Sequence, residues 1–278
     1  MRNIIWIVVI VISLSLSAAD CLRAQEQAGP FRTITVVSDD NYPPYIFRDS
    51  EGDIQGILVD QWRLWEGKTG IQVDLVGMDW ARAQETIEQG RANVIDTMFF
   101  TERRAKIYDF SRPYTKIEVM IFFHENISGI TDIRSVHGFS VGVKKGDACI
   151  ELFRKNGIIK ELVEYDSYEE IIQDAAKDNI RVFCIDKPPA LYYLNKYNLM
   201  DEYLYTAPLY SGEFHRAVIK GRKDLLAEVE KGFSAISQDE YASIDRRWFG
   251  TSVLATLGFM RYLWLGLGLI GIALVLLL

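Results

Sequence analysis

A chain of 278 residues with 49% hydrophobic and 25% charged residues is long enough for one large or two modest globular units. Its formal net charge of −7 offers no basic face to nucleic acid or anionic lipid, which argues against a nucleic-acid partner. The histidines His124, His137 and His215 stand far apart without metal-ligand spacing, so neither a metal nor a cofactor is expected.

The N-terminus reads as an export signal over residues 1–24. Arg2 supplies the positive start and Ile4 to Leu16 an apolar run too short for a comfortable membrane span. Ser17-Ala18-Ala19 and Leu22-Arg23-Ala24 are competing cleavage sites, and the mature chain is expected to begin near Gln25. Strands and helices then alternate. Thr33 to Ser38 is short and β-branched, a buried strand that breaks at the Pro43-Pro44 turn. Ile57 to Thr69 sets Leu58, Trp62 and Trp65 at helical spacing, closed by Gly70. A strand over Val73 to Val76, a helix over Arg82 to Gln89 and a strand over Val94 to Asp96 follow.

Further on, Met120 to Phe123 and Ser140 to Val143 read as strands, and Asp147 to Lys155 and Tyr168 to Lys177 as helices. Arg181 to Ile185 and Ala217 to Ile219 are again strands, and Asp224 to Ile236 carries a one-sided apolar helix face. Such alternation means an α/β sheet protein. From Tyr262 to Leu278 about 17 residues carry no charge, behind Arg261, at the low end of what crosses a bilayer. A transmembrane helix is therefore expected over 255–278. Because it stops in Leu-Val-Leu-Leu-Leu, the expectation is that the sequence continues into a cytoplasmic part. Gly266, Gly268 and Gly271 match a dinucleotide fingerprint only in form, since they lie inside this apolar run. Loss of Cys21 with the signal leaves Cys149 and Cys184, for which pairing in an oxidising compartment is one reading and buried free thiols the favoured one.

Four features carry candidate chemistry. In Asn41-Tyr42-Pro43-Pro44-Tyr45, two prolines hold two tyrosines at the carboxyl end of a strand, where ligands of open α/β sheets bind, although a rigid turn packed on the core reads the same way. Thr101 with Arg104 presents a hydroxyl and a guanidinium that suit a carboxylate, or else a capping threonine and a solvated basic turn. Gly142 to Asp147 leads into a helix whose free amides suit an anion, unless Asp147 already caps them. Asp186, before Lys187-Pro188-Pro189, is placed to meet a ligand ammonium or to cap the helix that follows.

Taken in order, these residues resemble the bacterial extracellular solute-binding proteins of family 3. The matching positions are Tyr42-Pro43-Pro44-Tyr45, Gly56 to Asp60, Trp80, Gly90 to Asn93, Thr101-x-x-Arg104, Phe110-Ser111-x-Pro113-Tyr114 and Trp248-Phe249-Gly250. The resemblance covers Arg32 to Gly250 and implies a two-lobed periplasmic binding protein, or Venus flytrap, fold over 32–250. Lobe 1 would take about 32–121 and 216–250, and lobe 2 about 122–215. It implies that Arg104 holds a ligand carboxylate with Thr101 and the backbone near Thr97 and Phe99. Tyr42 and Trp80 would sandwich the ligand, Gly146 to Ala148 would form an anion loop, and Asp186 would hold an amino group. Tyr45 and Asp96 complete the candidate set. Asp147 and Ala148 stand where the family has hydroxyl residues, and Asn93 replaces a frequent aspartate, so the ligand class is set no more finely than a small carboxylate or amino acid.

A flytrap followed by a membrane helix looks like the sensing part of a membrane signalling protein in the bacterial inner membrane, non-catalytic in itself. Signalling through such a helix suggests a homodimer. The alternatives are a transporter's substrate-binding protein and a dehydratase-like enzyme on the same fold, with Asp96 or Asp147 as its acid.

Overall fold

The computed structural model describes residues 32–250, which fall into two compact units divided at Ile236. The export signal, Cys21 and the terminal apolar segment lie outside the described residues. Among those described, no helix is long and apolar enough to cross a membrane.

In the first unit the chain begins with β1 (Thr33–Asp39), β2 (Asn41–Tyr42), β3 (Ile46–Arg48) and β4 (Ile54–Gln55). Helix α1 (Ile57–Thr69), β5 (Gln72–Met78), α2 (Trp80–Glu88) and β6 (Val94–Phe99) follow, then a tight 3₁₀ turn at Arg104–Lys106 and β7 (Tyr108–Phe110). Helix α1 has the bounds its apolar spacing predicts. Gly70 ends it in the left-handed conformation, its N–H returning to the Glu66 carbonyl at 2.8 Å. Trp62 and Trp65 are buried beneath it, each contributing on the order of 2–3 kcal/mol by area. At its other end Gly56 is obligatory, because a Cβ there would sit 2.3 Å from the Tyr45 carbonyl oxygen.

Strand β8 (Thr115–His124) carries the chain into a second group of elements. These are β9 (Val141–Lys144), α3 (Ala148–Lys155), β10 (Leu162–Tyr165), α4 (Tyr168–Ala175), β11 (Val182–Asp186), α5 (Lys187–Lys196) and β12 (Tyr203–Tyr205). Strand β13 (Tyr210–Ile219) returns, and α6 (Lys223–Ser234) packs back on α1. The main sheet path runs β10-β9-β11-β8-β13-β6-β1-β5. Each group is parallel at its heart: β1 with β5 and β6, and β9 with β10 and β11. The long antiparallel pair β8 and β13, in register from Tyr210↔Val119 to Phe214↔Thr115, joins them. The two groups are thus two lobes hinged on two crossing strands.

The first lobe's core gathers Val37, Ala83, Ile87, Ile95, Met98 and Ala217 around the Trp80 ring. Short strands β10 and β12 and the small β2-β3-β4 sheet were not expected from the sequence. β10 is half exposed and β12 covers three residues, so neither carries a continuous apolar signal.

The second unit is described through α7 (Gln238–Phe249). Its start is a capping box, with Ser237 Oγ accepting the Glu240 N–H and Glu240 accepting the Ser237 N–H at 2.8 Å.

One expectation is overturned. Cys149 and Cys184 are not free thiols but form a disulfide, with Cα atoms 6.9 Å apart. The sequence hides this because the two residues are brought together only when α3 lies against β11.

Candidate functional site

The lobes meet over a cleft lined by the carboxyl ends of strands and the starts of helices, where ligands of open α/β sheets bind. The first lobe supplies Asp39 at the end of β1, Tyr42 from β2 and Trp80 opening α2. Thr97 and Phe99 come from β6, and Arg104 from the turn after it. From the second lobe come Lys144 ending β9, Asp147 and Ala148 opening α3, Tyr168 opening α4 and Asp186 ending β11. Phe214 enters from the crossing strand β13.

Local sequence explains several orientations. Asp147 caps α3, accepting the Cys149 N–H at 3.0 Å, and accepts a second bond from the Tyr168 hydroxyl. Asp186 also stands at a helix N-cap, that of α5, yet makes no capping bond. A cap accepts from the second or third helical N–H, and Pro188 and Pro189 occupy those positions without any N–H to give. Its carboxyl group is left for the cleft. Thr97 holds a left-handed backbone at φ 59, strained for a branched residue, beside an irregularity in the β6–β13 pairing. Its N–H is held by Asp96 Oδ1 at 2.7 Å.

Arg104 is buried, with its guanidinium against the Trp80 ring at 5.5 Å. It donates to the Phe99 carbonyl at 3.0 Å within its own lobe and to the Gly146 carbonyl at 2.9 Å in the other. The same Gly146 carbonyl accepts Trp80 Nε1 at 3.1 Å and Gln84 Nε2 at 3.2 Å. Gly146 sits at φ 73, a left-handed conformation that favours glycine at this turn. Elsewhere across the cleft, Tyr42 donates to Asp186 at 2.6 Å and Lys144 pairs with Asp39. The space left free is about 20 Å³, about one water's worth. An organic ligand needs several hundred Å³, so its entry requires these cross-lobe contacts to part.

Two buried atoms in this cleft have no hydrogen-bond partner in the structure, the donor Arg104 Nε and the acceptor Asp186 Oδ1. The Asp186 carboxyl is pushed up to about 8 by burial and then by the neighbouring charge of Asp147, against the pull of Tyr42 and Lys144. Burial lowers the Arg104 guanidinium from its ordinary value, with Asp147 opposing. It raises Asp39 against the pull of Lys144.

Of the residues singled out from sequence, Tyr42, Trp80, Thr97, Phe99, Arg104, Asp147 and Asp186 share the cleft lining. The others lie behind it. Tyr45 packs its ring on Tyr42 and Phe214, and Thr101 Oγ1 accepts the Arg104 N–H at 3.2 Å. Gly146 contributes its carbonyl. Asp96 is fully buried in the first lobe, accepting Trp62 Nε1 at 2.7 Å and the Tyr114 hydroxyl at 2.6 Å, with Arg216 at 3.4 Å. Ala148, the last residue of the expected anion loop, lines the cleft as well, and Asp39, Lys144, Tyr168 and Phe214 line it without having been picked out as site residues. For Asp39 and Lys144 the available signal was position, each being the last residue of a central strand. Among the described residues, no three His, Cys, Asp or Glu side chains gather to hold a metal ion.

A family model for bacterial extracellular solute-binding proteins, family 3, matches residues 34–251. The chain belongs to this family. The L-cystine-binding protein TcyJ of Escherichia coli strain K12 is 27% identical over 225 residues, covering 80% of this chain and 84% of that protein. Virulence sensor protein BvgS of Bordetella pertussis is 24% identical over 231 residues, 82% of this chain but 19% of the sensor. Among solved structures, a histidine kinase sensor domain with similarity to periplasmic binding proteins matches with a TM-score of 0.74 at 23% identity. That match covers 79% of this chain and 97% of the other. The two-lobed fold is the family's, and the family operates outside the cytoplasm on small solutes.

Proposed function

We propose that this protein closes its two lobes on a small α-amino-acid-like solute and serves as the ligand-sensing part of a protein anchored in the inner membrane. The observation that carries the ligand class is the pair of orphaned groups in one buried cleft. Arg104 Nε lacks an acceptor and Asp186 Oδ1 lacks a donor. A buried polar atom without a partner costs about 1–3 kcal/mol, and a zwitterion with one carboxylate and one ammonium satisfies both at once. Aromatic faces of Tyr42, Trp80 and Phe214 supply the apolar area between them.

Arg104 already spends two of its nitrogens on Phe99 and Gly146, so a carboxylate taking the guanidinium edge would exchange a carbonyl contact for a charged one. Binding favours the closed lobes only insofar as it holds them better than the open ones. The sensing role draws support from the likeness to BvgS and from the uncharged run at Tyr262 to Leu278. A transport role is the second reading, favoured by the match to TcyJ over most of that protein's length.

Thermal melting of the full chain against the common L-amino acids tests the site. A ligand at 100 times its Kd adds about 2.7 kcal/mol, and the reading requires that shift to vanish in Arg104→Ala. An amino acid that stabilises Arg104→Ala as well as wild type would overturn it. The role is tested by reading the gene past Leu278. A signalling domain in frame supports sensing, whereas a stop codon beside a permease gene supports transport.

A further inference from the structure

A second cavity, of about 600 Å³, opens beside the strand that joins the lobes and is large enough for a small organic molecule. Phe99 and Ala148 line both this cavity and the cleft and stand between them. One wall is residues 99–102 of the first lobe, and another is α3 of the second, with Glu151 and Leu152. The third side is β13. This strand pairs with β8 over residues 210–214 but with β6 only from Phe214 onward. Over residues 210–213 its other edge therefore meets the cavity instead of a neighbouring strand, and such an edge offers free carbonyl acceptors. The Tyr210 hydroxyl, on the same stretch, is buried without a hydrogen-bond partner.

The lining is apolar at Phe99, Phe100 and Leu152 and acidic at Glu102, Glu151 and Glu213. Phe100 is 56% exposed, a large aromatic face left open to water. Arg103 spans the lobes to reach Glu151 at 2.6 Å. Glu102 and Glu213 form no ion pair among the described residues, although Lys116 stands opposite Glu213 in the β8–β13 ladder. Against these acids the lining sets Lys155 and His215, whose Nδ1 is engaged with the Ser111 carbonyl at 2.6 Å. Acid thus exceeds base around an apolar centre, which is the complement of an ammonium on an apolar body.

We propose that this cavity is a second binding site, separate from the amino-acid cleft, for a primary amine carried on an aromatic ring. The ring lies against Phe100 and Leu152, and the ammonium takes Glu102, Glu213 and the carbonyls of the free β13 edge. Both lobes supply walls, so the site is complete only when they are together. The amine therefore favours the closed form whatever solute the cleft takes.

Titration calorimetry of the full chain with tryptamine tests this. Tryptamine should bind wild type about tenfold more tightly, or better, than indole or indole-3-propionate, which keep the ring and lose or reverse the charge. The double variant Glu102→Gln with Glu213→Gln changes two exposed side chains outside the cleft and should weaken tryptamine about fivefold. Leu152→Lys, on the facing lobe, should abolish its binding, and the double variant serves alone where Leu152→Lys does not fold. Indole that binds as tightly as tryptamine overturns the proposal, as does tryptamine binding that the double variant leaves unchanged. Tryptamine binding lost in Asp186→Asn but kept in the double variant overturns it as well, since the amine would then occupy the cleft. Wild type that binds no tryptamine also overturns it, while the reading of the cleft stands or falls separately on the response of Arg104→Ala to amino acids.

Discussion

Tyr42 and Asp186 come from opposite lobes and meet in a hydrogen bond of 2.6 Å, with the tyrosine hydroxyl donating to Asp186 Oδ2. This contact uses one carboxyl oxygen and leaves the other, Oδ1, without a partner. The same carboxyl group therefore takes part in closure and still has an acceptor to offer. Burial and this acid hold the Tyr42 phenol well above its ordinary value, so it acts as a donor throughout the physiological range.

Tyr42→Phe removes the donor and keeps the ring that packs on Tyr168 and Phe214. The expected result is a loss of about 1–2 kcal/mol in ligand affinity, roughly fivefold to thirtyfold, because the bond helps to hold the closed state. Calorimetry on the two proteins reads this directly, and an unchanged Kd would show that the bond does not contribute to closure.

Asp186 makes stability depend on pH in a defined direction. Its folded value, about 8, lies above the ordinary 3.8, so between these values the native state holds a proton that the unfolded chain has lost. Stability then falls as pH rises through that window, by up to about 1.4 kcal/mol per unit, and the penalty is complete above pH 8. Asp186→Asn abolishes this component, so its melting temperature relative to wild type should climb between pH 5 and pH 8. A ligand ammonium beside Asp186 favours the ionised form, so affinity should strengthen over pH 6 to 8 with release of a proton. Calorimetry in buffers of different ionisation enthalpy measures that proton.

The disulfide ties together two elements that present site residues. Cys149 lies two positions after Asp147 on α3, and Cys184 two before Asp186 on β11. Closing a loop of 35 residues restricts the unfolded chain by about 4 kcal/mol in the chain-entropy model. Cys149→Ala with Cys184→Ala should cost about 2–4 kcal/mol in denaturant unfolding. Adding reductant to wild type should reproduce most of that loss.

How much of this was readable in the sequence depended on whether a signal was local. Helix Ile57–Thr69 shows its bounds because Trp62, Trp65 and Gly70 mark its face and its end. Arg104 is legible through the family resemblance, since Thr101 and Arg104 alone read equally as a capping threonine and a solvated basic turn. Lys144 is not, since the stretch Gly142 to Asp147 reads as a loop of free amides and singles out neither lysine side chain. The strand's period of two separates them. Lys144 turns into the cleft, whereas Lys145 is 45% exposed and pairs with Asp166 at 2.6 Å. Which of two adjacent lysines faces inward is decided by the lobe across the cleft, and no local pattern records it.

Asp96 shows the opposite case, a charged residue whose sequence position suits the cleft and whose partners lie in the core. Arg216, on β13, reaches it at 3.4 Å and also donates to Gln61 at 2.9 Å. The arginine's guanidinium lies 3.3 Å from the centre of the Phe233 ring and 4.2 Å from that of Tyr114. Both groups are buried, so taking away one partner strands the other's charge in the interior. Arg216→Met should therefore destabilise the protein by about 3–5 kcal/mol, seen as a lower denaturant midpoint. Combining it with Asp96→Asn should recover part of that loss, since the lone carboxylate is gone. The non-additivity of the double variant measures the pair itself, and strictly additive losses would mean that the two groups do not interact.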